Sequence, residues 1–216
     1  MGGGAISDYI KDPAAIYAQS FERVRAATDL SRFPDDIAEV VIRIIHACGM
    51  PDLADDIAFT PNLARKAAEA LKAGAPIIAD CAMVASGITT RFLPKANPVI
   101  MTLYDAAIPD RAKAMATTRS AAAVEDWRAH IDGAVVVIGN APTALFHLLE
   151  HLDRDWPKPA AILGFPVGFV GAAESKAALA ARADLDFITV HGTRGGSAMA
   201  SGALNAVAIQ AAGRSA

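Results

Sequence analysis

Only two cysteines, Cys48 and Cys81, occur in the 216 residues. They cannot build a disulfide scaffold, and no C-x-x-C pair exists. Such sparse use fits a reducing cytosol. An excess of positive charge is also missing: 20 basic residues face 23 acidic ones, for a formal net charge of −3. That excludes a basic nucleic-acid binder on bulk charge and gives no polybasic membrane signal, though a local basic pocket stays open. No uncharged run reads as a membrane span. Residues 159–173 are too short and broken by glycine and proline, and residues 195–213 are mostly Ala, Ser and Gly with Asn205 and Gln210 inside; a span wants ~20 predominantly apolar residues. The first residues carry no apolar signal core. A cytoplasmic protein without nucleic-acid or membrane partners is the expectation. Neither G-x-G-x-x-G nor G-x-x-x-x-G-K-[ST] occurs, so no nucleotide fingerprint is present. G-x-S-x-G is absent too, which removes support for a hydrolase nucleophile elbow.

What is present is alanine. It supplies 49 of the 216 residues, so the 53% apolar content overstates the larger core formers. Residues 1–8 read as a disordered extension, and 9–216 as a single domain. The first third reads helical. Asp12-Pro13 and Thr60-Pro61 are cap-plus-proline starts, a second helix opens near Pro34-Asp35-Asp36, and Gly49 and Gly74 are stops. From Pro76 on, apolar runs at 77–79, 99–103, 134–138, 160–163 and 187–190 alternate with helices at about 109–130, 142–152, 172–183 and 196–212. This predicts a three-layer α/β/α fold with a mostly parallel, doubly wound, flavodoxin-like sheet and the N-terminal helices packed on it. Ligands of such folds sit beyond the carboxyl ends of the strands. Three loops there open helices: 139–143, 164–171 and 191–197. Their backbone N–H groups suit anions, and Arg194 favours that use in the third. The alternative is that their glycines simply make tight turns.

Two constellations carry chemistry. His147-Leu-Leu-Glu150-His151 matches H-x-x-E-H and places two histidines on one helix face, as zinc needs. The helix ends almost at once and no downstream acidic helix supplies a third ligand, so no metal site is expected, and His151 near a helix C-terminus is favoured simply by the dipole. On the second helix, Ile37, Val40, Val41, Ile44 and Ile45 form an apolar stripe. Asp36, Glu39, Arg43 and His46 recur opposite it. Arg43 could hold an anion beside His46 as a proton donor; the plain reading is a solvated helix face.

Several longer segments resemble one family. They are residues 44–49 (I-I-H-A-C-G), 118–123 (T-R-S-A-A-A), 138–145 (I-G-N-A-P-T-A-L), 159–176 (P-A-A-I-L-G-F-P-V-G-F-V-G-A-A-E-S-K) and 195–199 (G-G-S-A-M). In this order they are similar to the precorrin-8X methylmutases, over about residues 9–207. The likeness is greatest to the metal-free branch of cobalamin biosynthesis. It implies a homodimeric isomerase, acting beside other enzymes of the corrin pathway, that needs no cofactor and no metal of its own. The reaction implied moves a methyl group from carbon 11 to carbon 12 of a tetrapyrrole and gives hydrobyrinic acid. The family's proton-transferring histidine falls on His46, and its substrate contacts fall on Ser20 and Arg43. Arg119, Thr143, Ser175 and Arg194 are further substrate-binding candidates from the matched segments. The alternatives are a cobalt-precorrin-8 methylmutase and a non-catalytic tetrapyrrole-binding protein on the same fold.

Overall fold

The computed structural model describes residues 9–213; the expected disorder of residues 1–8 lies outside them. Two helices open the chain, α1 (Pro13–Ala27) and α2 (Asp35–Cys48). A 3-10 turn (Pro51–Asp56) leads into β1 (Ile57–Phe59), α3 (Leu63–Ala73), β2 (Ile77–Ala79) and α4 (Ala82–Gly87). After a second 3-10 turn (Thr90–Phe92) come β3 (Val99–Ile100), α5 (Ile108–Ala114) and α6 (Arg119–Val124). A third 3-10 turn (Glu125–Ala129) precedes β4 (Val135–Ile138), α7 (Pro142–Leu152), β5 (Ala161–Gly164), α8 (Ala172–Ala180), β6 (Phe187–Val190) and α9 (Ser197–Ala211).

The sheet order is β1-β6-β5-β4-β2-β3, and every pair is parallel except β1 with β6. Counted from β2, the five parallel strands run 2-1-3-4-5, the doubly wound order expected. Side-chain alternation builds the two cores. Ile77, Ala79, Val135, Val137, Ala161 and Leu163 face one, with the buried residues of α2, α3 and α9. Ile78, Val136, Ile138 and Ile162 face the other, with those of α7, Leu179 and Trp127. Both faces are covered, so the strands read as unbroken apolar runs.

The structure corrects the sequence reading in three places. The antiparallel edge strand β1 was not expected; its three residues are too few to show a period. The single helix expected over 109–130 is divided. Ala116 takes a left-handed φ of 49°, and the Thr118 hydroxyl accepts from the Ala121 N–H at 3.1 Å to start α6 afresh. The run at 99–103 forms a strand only at Val99 and Ile100.

One buried charge ties down the switch point between β2 and β4. Asp80, 3% exposed, follows β2. Its carboxylate accepts from the N–H groups of Gly139, Asn140 and Ala141 at 3.0, 2.9 and 3.0 Å. Burial pushes this carboxyl up, and the three N–H groups pull it back. The loop at 139–143 therefore does hold an anion, but the anion is the protein's own. Gly139 has to be glycine: a Cβ there would lie 2.7 Å from the Ser197 Cα at the start of α9.

Candidate active site

α2 owes its position to an apolar stripe as expected: Ile37, Val40, Val41 and Ile44 are fully buried against the sheet core. Its C-terminus stops at Gly49, which adopts φ 71° and returns its N–H to the Ile45 carbonyl at 2.7 Å. The other face of α2 is where the structure departs from a solvated helix. α1 lies across it and covers Arg43, leaving it 6% exposed. The Arg43 guanidinium sits 5.6, 5.0 and 5.8 Å from the ring centres of Tyr17, Phe21 and Phe92 and donates to the Tyr17 hydroxyl. No carboxylate among the described residues pairs with it. A buried cation held by aromatic faces and one neutral hydroxyl is incompletely compensated, and an anion placed beside it would complete the compensation.

His46 stands one turn further along. Its Nδ1 is 2.9 Å from the Ser20 hydroxyl of α1. Its ring stacks on Phe21, with centres 4.7 Å apart at 21°. This leaves Nε2 for a ligand. Burial lowers the His46 pKa, and the Arg43 charge lowers it further. Glu39, on the same side of the helix, does not oppose this: both its oxygens are taken by Arg25, at 2.7 and 2.9 Å. Both causes favour the neutral imidazole in the free protein.

The sign of this shift has a measurable consequence. In an NMR titration of the His46 ring protons, the midpoint falls below the ordinary 6.5. Arg43→Gln moves it up, though only partly, because burial is the larger cause. A wild-type midpoint above 6.5 contradicts this electrostatic picture. For the same reason His46 subtracts stability as pH falls from 6.5 through its folded pKa, since the unfolded chain binds that proton more readily.

Two clefts meet at His46. One, of about 750 Å³, is lined by Ser20, Arg23, Val24 and Pro51 among others. The second, of about 360 Å³, is lined by Tyr17, Arg43, Arg91, Phe92 and Asn205 among others. Among the described residues, three arginines and no Asp or Glu line them, in a chain whose acids outnumber its bases. Tyr17, Arg23 and Arg91 were not singled out from the sequence. Nothing in their local pattern distinguishes them, because α1 and the turn after α4 meet only in the folded protein.

The other candidates lie outside both clefts. Arg119 reaches the Leu103 carbonyl at 3.4 Å. Thr143 shares a hydrogen bond with Thr118 at 2.8 Å. Ser175 is fully buried and donates to the Ala172 carbonyl of its own helix at 3.1 Å. Arg194 is bound by Asp56 and, at 2.7 Å, by Asp52, so its charge is already answered within the chain. Its backbone carbonyl accepts from the buried Lys176. The ammonium of Lys176 is lowered to about 8 by burial and by Arg194. As for H-x-x-E-H, the two histidines do converge, but on Glu125 rather than Glu150.

Comparison with known proteins decides the family. The model described as CbiC, precorrin-8X methylmutase, matches residues 15–210. The chain belongs to the precorrin-8X methylmutase family. It is 55% identical over 204 residues to a precorrin-8X methylmutase of Pseudomonas aeruginosa, covering 94% of this chain and 98% of that one. It is 34% identical over 200 residues to a cobalt-precorrin-8 methylmutase of Priestia megaterium, covering 92% and 88%. The crystal structure of a precorrin-8X methylmutase from Thermus thermophilus superposes with a TM-score of 0.84 at 35% identity, covering 93% and 97%. As a member of this methylmutase family the protein is an isomerase of cobalamin biosynthesis. No helix among the described residues is long and apolar enough to cross a membrane.

Proposed function

We propose that the protein converts precorrin-8X to hydrobyrinic acid by moving a methyl group from carbon 11 to carbon 12. The observation that carries this is the pair of clefts meeting at Ser20–His46–Arg43, with arginines and no carboxylate among the described residues of their walls. The substrate is a large, mostly apolar macrocycle fringed with carboxylates. Its apolar body meets Phe92, Val24 and Ile16, and its rim meets Arg23, Arg43 and Arg91.

Binding itself prepares the acid–base group. A substrate carboxylate seated on Arg43 offsets the smaller of the two causes that lower His46, the Arg43 charge, while the larger, burial, remains; this offset favours proton uptake. The Ser20 hydroxyl fixes the imidazole by its Nδ1 contact, so Nε2 exchanges the proton with the ring. In a pericyclic shift the C11–methyl σ bond breaks as the C12–methyl σ bond forms, and the π electrons of the conjugated ring relocate so that carbon 11 regains the pair it loses and carbon 12 gives up its π bond. The reaction is an isomerisation, so a proton taken at one ring atom is returned at another. A metal-free substrate is favoured by 55% against 34% identity to the two kinds of relative. Steady-state kinetics with both substrates test this: a higher kcat/KM for the metal-free one is expected, and a higher value for the cobalt form overturns that part.

The protein acts as a homodimer in the cytoplasm in this reading. Phe169 and Val170, 95% and 90% exposed at the tip of the loop before α8, support the dimer as apolar groups suited to a second copy. Sedimentation equilibrium giving a monomer at micromolar concentration contradicts it. The same pathway setting places neighbouring corrin enzymes as partners.

A further inference from the structure

A cluster on the far face of the sheet from His46 is unused by this chemistry. His147 and His151 lie one turn apart on α7, and Glu125 opens the 3-10 turn that follows α6. Their donor atoms form a tight triangle. His147 Nε2 is 2.6 Å from Glu125 Oε1, His151 Nε2 is 2.9 Å from the same oxygen, and the two Nε2 atoms are 3.1 Å apart. In a tetrahedral zinc site with bonds of ~2.0–2.1 Å, ligand atoms stand about 3.3 Å apart. The triangle would have to open to fit, most along the His147–Glu125 edge, now 2.6 Å, and least between the two Nε2 atoms, now 3.1 Å.

We propose that Glu125, His147 and His151 bind one divalent borderline cation, Zn²⁺ or Co²⁺, with the fourth position left to solvent. Three features beyond proximity support it. The rings are held in place: His151 stacks on the buried Trp156 at 4.1 Å and 11°, and meets His147 edge-on at 4.5 Å. The ligand types are two imidazoles and one carboxylate, a set suited to zinc and cobalt rather than to magnesium or calcium. Lastly, Glu150 has an outer role. Its Oε2 is 3.7 Å from His147 Nδ1. A metal on Nε2 requires the ring proton on Nδ1, and a carboxylate beside Nδ1 fixes that tautomer. The acid of H-x-x-E-H thus supports a ligand instead of being one. The site is half-exposed at Glu125 and lies in the layer opposite α2, so it does not depend on the substrate reading. A bound ion would join α7 to the turn after α6.

The test uses untagged protein stripped with a chelator. Calorimetry with Zn²⁺ is expected to give one equivalent with a Kd in the micromolar range or tighter, and Tm rises on loading. Co²⁺ is expected to give the visible absorption of a four- or five-coordinate site. It also broadens the ring resonances of His147 and His151 and spares those of His46, His130 and His191. Glu125→Gln and His147→Gln weaken binding by at least ~10-fold, and Glu150→Gln by about 10-fold. Absence of binding at 100 μM Zn²⁺ overturns the proposal. So does affinity unchanged in Glu125→Gln and His147→Gln, or Co²⁺ broadening centred on another histidine. The wild-type resonance experiment stands even where a variant fails to fold.

Discussion

Replacing His46 with alanine is expected to lower turnover by about 100- to 10,000-fold, the range for a positioned acid or base, while substrate still binds. The separation follows from the geometry. Arg43 keeps its seat between Tyr17, Phe21 and Phe92 without His46, and Arg23 and Arg91 are untouched. Affinity for product or substrate, followed by the visible spectrum of the tetrapyrrole, should change by less than about tenfold. The truncation also removes a ring from the Phe21 stack, so a modest loss of stability accompanies it. Turnover within a few-fold of wild type would remove His46 from the proton-transfer role. Ser20→Ala offers the graded control: it frees the ring without deleting it, and a smaller loss is expected.

The largest effect on stability is expected at Asp80. Asp80→Ala leaves the buried N–H groups of Gly139 and Ala141, and the partly buried one of Asn140, without their acceptor. Each such orphan costs about 1–3 kcal/mol, so a loss of about 3 kcal/mol or more is expected. At this chain length that lowers Tm by about 6–12 °C. Asp80→Asn keeps one acceptor oxygen and points an amide at the remaining donors, so it falls between. Thermal unfolding checks both. A change under about 1 kcal/mol for Asp80→Ala would mean that water or a rearranged loop satisfies the donors.

Asp80 also shows where sequence reading stops. The apolar runs that became β2, β4, β5 and β6 were legible because buried parallel strands need no polar alternation. The end of α2 was legible because Gly49 takes a conformation that other residues resist. Asp80 gave no such sign. Its role comes from the adjacency of β2 and β4, two strands far apart in the chain. The glycine loop it holds was read as a candidate ligand cradle, and the candidate ligand proved internal. Arg194 was drawn in by its loop in the same way, and Asp52 and Asp56 already hold it.

The candidate active site was legible in part. Period and spacing put Glu39, Arg43 and His46 on one side of α2. They could not show that α1 would cover that side, bury Arg43 and bring Ser20 to His46. Ser20 came only from the resemblance to a family. Glu125 was missed for the same reason as Asp80: its histidine partners are 22 and 26 residues further on, and only the packing of α6 on α7 joins them. Local pattern reports a helix face; the company that face keeps is tertiary.

The most direct test of the central claim is a visible spectrum of the purified protein with metal-free precorrin-8X in several-fold excess. Conversion of the whole pool to hydrobyrinic acid is the expected result, since His46, fixed by Ser20, stands where the two clefts meet. A spectral change that stops at one equivalent of protein would contradict it and make the clefts a tetrapyrrole-binding site without catalysis.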